Sequence, residues 1–451
     1  MRQGIRFIHA ADLHLGSMLH CSGDLSPYLQ QLMRDASYNA FAAICQAAVE
    51  HEVDFLLLAG DLFEDSGPSV YANNFFNQQC QLLQQEEIPV FAVSGNHDPA
   101  DIAFQPLGRP ENLHLFSWHE VEDFIFKQAE GGRVVRLIGQ SYRAAAEARK
   151  LHTFFQVPDD GAYNIGILHT QLDLNNHRYL PCSQSELMQI SGVDYWALGH
   201  QHHCQVIRED PPVIAYPGIP QGRNRNEEGV GGSLLVELDA TGETSISFLP
   251  TSSLVWIKRE VWIDGADKQV PQNLDQLEEL LVREAEELIT SPLPWPEEGL
   301  SITANQCVSI EGFLVQWIIR GRGEIHSLLQ EEREEAAQLL ATNLRQRFGA
   351  LSPALWTDSV IFRTAAPLPS LGELREENQV FATLDGLVQE IINDQDLQDE
   401  LKSYLGAIWL NKEDHEEIDD LKFQLNDELL EAVISQASEL IIEELLEVRE
   451  H

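Results

Sequence analysis

The chain has 451 residues, 43% of them hydrophobic, which is enough for two or three domains with cores of their own. No apolar run approaches the roughly 20 residues of a membrane-spanning helix, so a helical membrane protein is excluded. A formal net charge of −43 leaves no overall basic field with which to grip nucleic acid. Residues 1–255 carry 31 acidic and 14 basic side chains and residues 256–451 carry 41 and 15, so the acidity leans toward the C-terminal part. Divalent cations bound among carboxylates would invert the sign locally. The beginning MRQGIRFIHAADLH enters a strand without the basic, apolar and small-residue order of a signal segment, which predicts a cytoplasmic protein with no membrane partner. The six cysteines form no CxxC pair, so neither a disulfide framework nor a thiolate zinc site is expected.

In chain order, IRFIHAA (5–11), VDFLLLAG (53–60), IPVFAVSG (88–95), YNIGILHT (163–170) and VDYWALGH (193–200) have strand length and β-branched or aromatic content. Helical patterns over 38–51 and 70–85 fall between the earlier ones. This alternation predicts an α/β layered domain, continued by PVIAYPGIP, GGSLLVELD and TSISFLP to about residue 250. A second α/β module follows: strand LVWIKREVWID, helix 274–289, strands in CVSIEGFLVQWIIRG, helix 324–348 and strand SVIFRTAA. Past PLPSLG the strand signals stop, and residues 372–451 are predicted to be acidic helices. The expected division is 1–255, 256–368 and 369–451.

Five of the early strands end in residues that ligate metals. FIHAADLH supplies Asp12 and His14, LLLAGD supplies Asp61, AVSGNHD supplies Asn96, His97 and Asp98, GILH supplies His169, and WALGHQH supplies His200 and His202. Ligands of open α/β sheets gather at the carboxyl ends of strands, so residues far apart in the chain can converge. In Asp-x-His and His-x-His, extended backbone would put both side chains on one side. Glycine before Asp61, Asn96 and His200 permits tight paths out of the sheet. Two divalent ions need a bridging anion, and Asp61 can offer one oxygen to each. Imidazole, carboxylate and amide oxygen together suit manganese first, with iron or zinc as alternatives. The expected chemistry is attack on phosphorus by metal-activated water, with His97 acting on the leaving alkoxide and Asp98 orienting it. His9, His20, His51, His114, His119, His152 and His203 lie outside the pattern and are expected to be structural or surface residues.

FIHAADLHLGS, LLAGDLFE, VSGNHD, NIGILHT, DYWALGHQH and AYPGIPQGRNRNEEG together resemble the calcineurin-like metallophosphoesterases, and within them the SbcD-like DNA repair exonucleases of the YhaO-type branch. The resemblance is specific over residues 1 to about 255. It implies an αββα sandwich with a small capping domain over 256–368 and an acidic helical C-terminal segment. It also implies a homodimer with paired manganese ions that cleaves DNA with an ATPase of the SbcC or YhaN type. By motif, Asp12, His14, Asp61 and His202 would hold one ion and Asp61, Asn96, His169 and His200 the other, with His97 catalytic. Some relatives carry a second histidine where this chain has Glu64, so a choice between exonuclease and endonuclease action that rests on that histidine does not transfer.

Arg223 and Arg225 in the GRNRN loop are expected to hold substrate phosphates, whereas Arg320 and Arg322 in the second module are as readily surface residues. The same motifs also serve small-substrate phosphodiesterases and protein phosphatases, and a silent scaffold for an ATPase is a third possibility, opposed by the complete ligand set. Between 421 and 448 the apolar residues Leu425, Leu429, Val433, Ala437, Ile441 and Leu445 recur at helical spacing, with Leu430, Ile434, Leu440 and Val448 widening the stripe, which suits either the chain's own core or the coiled coil of an ATPase.

Overall fold

The computed structural model describes residues 4–64, 69–99, 109–128, 133–172, 181–265, 270–293, 295, 300–305, 308–367, 374, 379–394, 397–398, 434, 437–438 and 441–442. Residue contacts gather the chain into two compact units. One is Met1–Val261 with Leu274–Ile319 and Glu332–Phe362; the other is Trp262–Asn273 with Arg320–Glu331 and Arg363–His451.

The first unit is built on two facing sheets. Strands β1 (Ile5–Ala10), β2 (Phe55–Ala59), β3 (Val90–Val93) and β4 (Leu113–Leu115) run parallel, and β11 (Gly232–Leu238), β12 (Thr244–Pro250) and β14 (Ser301–Ile302) complete a seven-stranded sheet in the order β14-β12-β11-β1-β2-β3-β4. The second sheet has the order β5-β6-β7-β8-β10-β9, from β5 (Glu122–Lys127), β6 (Val134–Gly139), β7 (Tyr163–His169), β8 (Tyr195–Gly199), β9 (Gln205–Arg208) and β10 (Val213–Tyr216). Phe7 of β1 meets Tyr195 of β8 edge-on at 5.5 Å across the interface. Beside them the buried His9 donates from Nε2 to the Leu198 carbonyl (3.1 Å) and pairs its Nδ1 with the Tyr195 hydroxyl (3.0 Å). Burial lowers its pKa to about 3, so it is a neutral cross-sheet brace.

Helices α1 (Pro27–Glu50) and α2 (Val70–Gln85) cover the outer face of the first sheet, where Ile8, Leu56, Leu58, Val90 and Ala92 pack on Phe41, Ile44 and Phe76. Each of these side chains larger than alanine contributes about 1.5–3 kcal/mol by leaving water. The second sheet's outer face is thinner, with Leu168, Trp196, Leu198 and Tyr216 under Leu151 of the turn Leu151–Phe154 and Leu187 of the short α3 (Gln184–Met188). The expected αββα sandwich is the fold observed.

Helix α2 has the predicted bounds, but α1 starts well before residue 38, capped by the Ser26 side chain accepting from the Leu29 amide (3.2 Å) with Pro27 at its start. Its first turns serve a different neighbour: Leu29, Met33 and Ala36 pack on Leu254, Trp256, Leu314 and Trp356. One helix thus carries two apolar faces, which blurs a single periodicity.

The second α/β segment holds the three-stranded sheet β13-β15-β16, from β13 (Leu254–Trp262), β15 (Gly312–Arg322) and β16 (Ala354–Ala365). Within the first unit, α4 (Leu274–Thr290) and α6 (Arg333–Phe348) are joined by Asn343 donating to Glu278 (2.7 Å), and Arg345 of α6 donates to the Thr357 carbonyl of β16 (2.7 Å). The helix expected over 324–348 is two, α5 (Ile325–Glu331) and α6, separated at Glu332 (φ −118°, ψ 38°). In the second unit, α7 (Gln379–Asn393) buries Phe381 against Leu374 and Ile442. Most of the 421–448 stripe lies outside the described residues. Where it is described, Ile434 on the widened edge of the stripe is buried, whereas Ala437 and Ile441 are exposed. Among the described residues no helix is long and apolar enough to cross a membrane.

Candidate metal centre

The carboxyl ends of β1, β2 and β3 meet those of β7 and β8, and seven of the predicted ligands converge there. Asp12 and His14 lie just beyond β1, Asp61 beyond β2, Asn96 beyond β3, His169 on the last residue of β7, and His200 and His202 beyond β8. The Asp12 amide donates to the Gly60 carbonyl (2.9 Å) and the His14 amide to the Asp61 carbonyl (3.0 Å), continuing the β1–β2 pairing past the strands. The backbone there is not extended as expected: Asp12, His14 and Asp61 have φ of 53°, 42° and 51°, and His200 has 92°. Both Asp12 and His14 still reach one site, but by left-handed turns that re-aim the chain.

Two ligand clusters result. Donor atoms of Asp12, His14 and His202 lie within 4.8 Å of one another, and so do those of Asp61, His169 and His200. Asn96 Oδ1 adds to the second, 3.1 Å from His169 Nε2 and 3.0 Å from His200 Nδ1. Asp61 Oδ2 lies 3.2 Å from His169 Nε2 and 3.9 Å from His14 Nε2, which makes it the carboxylate common to both clusters. A Cβ at Gly60 would strike the His169 ring and one at Gly95 the Asp61 carboxylate, so glycine at these positions makes room for the ligands.

The donor set fits cations. His14 Nε2 faces His202 Nε2 at 3.4 Å, and His169 Nε2 faces His200 Nδ1 at 3.3 Å. Two imidazole lone pairs at that separation repel unless positive charge lies between them. The buried groups also shift one another. Burial alone would raise Asp61, yet the imidazoles of His169, His14 and His97 hold its carboxyl well below the usual range. Burial would lower His169, but Asp61 and Asp12 push it up to about 9, while burial and neighbouring His169 take His200 down to about 3.

Outer partners fix the rings. His169 Nδ1 donates to the Ala59 carbonyl (2.8 Å) and His202 Nδ1 donates to Glu227 (2.7 Å), leaving Nε2 of each as the donor toward the centre. Glu64 lies 2.9 Å from His14 Nδ1 and 3.8 Å from His97 Nδ1. Glu227 is the partner of a candidate ligand that sequence reasoning missed, and Glu64, noted there only as a departure from relatives, lies against His14. The signal for Glu227 was present as the acidic pair in RNEEG, four residues from Arg223, but its pairing with a ligand histidine depends on the loop's path.

The other predicted residues stand as follows. His97 is beside the centre, its ring edge-on to His14 at 4.8 Å. Asp98 is buried, and its two oxygens accept from the Leu62 and Gly95 amides (both 2.8 Å), so it braces the loops after β2 and β3. Arg223 is drawn into the centre's rim, donating to Glu64 (2.6 Å) and to Glu227 (3.4 Å). Arg225 is exposed, 3.9 Å from Asp358. Arg320 and Arg322 belong to the second unit.

The family model described as calcineurin-like phosphoesterase matches residues 5–204, the stretch that carries all seven clustered ligands. Over 268 residues the chain is 34% identical to the uncharacterized metallophosphoesterase YhaO of Bacillus subtilis, covering 59% of this chain and 65% of that one. It is 28% identical over 236 residues to the DNA double-strand break repair protein Mre11 of Archaeoglobus fulgidus, covering 48% of this chain and 49% of that one. A third relative, a component of the nuclease SbcCD of B. subtilis, is 21% identical over 272 residues, covering 53% and 67%. The chain thus spans less than two thirds of the length of the first two. The match to a phosphoesterase family covers the stretch in which the two clusters supply candidate ligands for divalent metal ions.

Proposed function

We propose that the chain is a two-metal-ion phosphodiesterase that cleaves DNA, as an exonuclease or endonuclease in repair or processing, together with a coiled-coil ATPase of the SbcC or YhaN type. The observation that carries this reading is Asp61 Oδ2 placed between the two clusters, 3.2 Å from His169 and 3.9 Å from His14. Relatives named for double-strand break repair and for nuclease activity support the choice of DNA. In this reading Asp12, His14, Asp61 and His202 hold one ion and Asp61, Asn96, His169 and His200 the other, manganese before iron or zinc. A bound pair of divalent ions supplies Lewis acidity toward water and the phosphate oxygens. The protein's own part is to keep the Nε2 lone pairs of His169 and His202 aimed inward through Ala59 and Glu227, and to pass a proton from His97 to the leaving oxygen. The His97 side chain is 30% exposed, which lets solvent restore that proton, and Glu64 lies 3.8 Å from its Nδ1. Arg225 faces the substrate, and the homodimer, the cytoplasmic location and the division at 255 and 368 belong to the same proposal.

A second reading is a small-substrate phosphodiesterase or phosphatase, favoured by the tie of Arg223 to two carboxylates, which takes one cation away from a polynucleotide backbone. Assays of the manganese-loaded protein on linear DNA, bis-p-nitrophenyl phosphate and phosphopeptides decide between them. Degradation of DNA is the expected result, and turnover of phosphopeptides with intact DNA would replace the proposal by the second reading. Truncation near residue 372 is expected to leave cleavage of the model diester intact and to abolish pull-down of the ATPase.

A further inference from the structure

Away from the strand ends, on the outer side of the second sheet, three other metal-binding side chains come together. His152 lies on the helical turn Leu151–Phe154, Cys182 precedes α3, and Glu186 is in its first turn. Their donor atoms lie within 4.8 Å of one another, with His152 Nε2 at 3.8 Å from Glu186 Oε2. None of the three belongs to the clusters around Asp61.

The decisive feature is His152. Its side chain is 2% exposed, and among the described residues neither ring nitrogen has a hydrogen-bond partner. A buried imidazole without partners loses the solvation of both nitrogens, which native interiors rarely accept. Glu186 is already held in place: Oε2 accepts from the Ser183 amide (2.9 Å) and hydroxyl (3.1 Å), and Oε1 from Lys150 Nζ (2.6 Å). Cys182 is buried, its sulfur 3.6 Å from the Ser183 carbonyl.

We propose that His152, Cys182 and Glu186 form a second kind of metal site in this chain, one for a thiophilic divalent cation of the zinc class, with water as the fourth ligand. A thiolate, an imidazole and a carboxylate at tetrahedral reach are the donors zinc takes, and the thiolate sets this site apart from the nitrogen and oxygen set at the strand ends. Burial keeps His152 below its usual pKa, so its lone pair is free for the metal near neutral pH. As the sulfur–metal bond forms, the Cys182 thiol releases its proton to solvent. The ion would tie the 151–154 turn to α3, which together cover Trp196 and Leu198 of the second sheet.

The full-length protein, stripped with a chelator under reducing conditions, is titrated with Co²⁺ and followed for the near-ultraviolet thiolate-to-cobalt band. The wild type and Asp61→Asn are expected to show the band and Zn²⁺ to abolish it, since no proposed ligand at the strand ends carries sulfur. Cys182→Ser is expected to lose the band and one bound ion per chain, and Glu186→Gln to weaken Co²⁺ binding about tenfold or more. Circular dichroism checks folding; should Cys182→Ser unfold, Glu186→Gln, whose carboxylate is partly exposed, carries the test. No band in the wild type, a band that survives Cys182→Ser, or unchanged affinity in Glu186→Gln would overturn the site and leave the Asp61 assignment untouched.

Discussion

Ligands that follow a strand and a ligand that ends one reach the centre in different ways. Asp12, His14 and Asp61 beyond the first sheet and His200 beyond the second sit at positive φ, whereas His169 is the last residue of β7 and keeps the strand's regular pairing. A non-glycine residue in that region costs of order 1–3 kcal/mol, and here the cost is met by the hydrogen bonds that continue the β1–β2 pairing beyond the strands. His169 needs no such turn because Gly60 leaves space for its ring and the Ala59 carbonyl holds it. Strain therefore gathers where a chain leaving one sheet must turn its side chains toward the other, and it is absent where a strand already points at the site.

The sharpest way to break this comparison is Asp61→Asn, because that carboxylate alone is shared by the two clusters. The variant is expected to stay folded, to bind less manganese by elemental analysis, and to lose at least about 10³-fold in diester hydrolysis, several kcal/mol of transition-state stabilisation. Full manganese-dependent activity would show that the edges do not act as one centre. His97→Ala is expected to lower turnover by about 10²–10⁴-fold with metal content unchanged; a parallel fall of both would make His97 a ligand. Glu227→Gln probes the second sheet's side, where a carboxylate fixes the His202 tautomer. It should weaken metal binding or activity by about 10–100-fold, measured by titration of the chelated protein. The smallest effect separates strain from space. Gly60 (φ 95°) and Gly161 (φ 80°) are both left-handed, but only at Gly60 would a Cβ strike a neighbour, the His169 ring. Gly161→Ala is expected to cost about 1–2 kcal/mol in chemical denaturation and Gly60→Ala measurably more, with loss of metal affinity. Equal costs would mean that the ring has room to move.

The parallel strands were readable because burial on both faces makes them continuous apolar runs, as in FLLLA and VFAV, and α2 because it buries one face only. The stretch holding β4, β5 and β6 carried no comparable signal. β5 alternates at a sheet edge, and β6 contains Arg136, buried through its pairs with Asp123 (3.1 Å) and Asp160 (2.6 Å), partners supplied by the folded chain.

At the centre, residue type and order along the chain were enough to name the seven residues that converge, since a strand end followed by Asp, Asn or His is a local property. By itself the sequence determined the layered α/β class and that convergence. The tertiary structure alone decided that Asp12 and His14 reach the site through left-handed turns, that Glu227 holds His202, that Arg223 is spent on two carboxylates, and that His152 meets Cys182 and Glu186. Each of these depends on which loops the sheets bring within hydrogen-bond distance, and residues as far apart in sequence as Arg223 and Glu64 become neighbours only when both sheets have closed on each other.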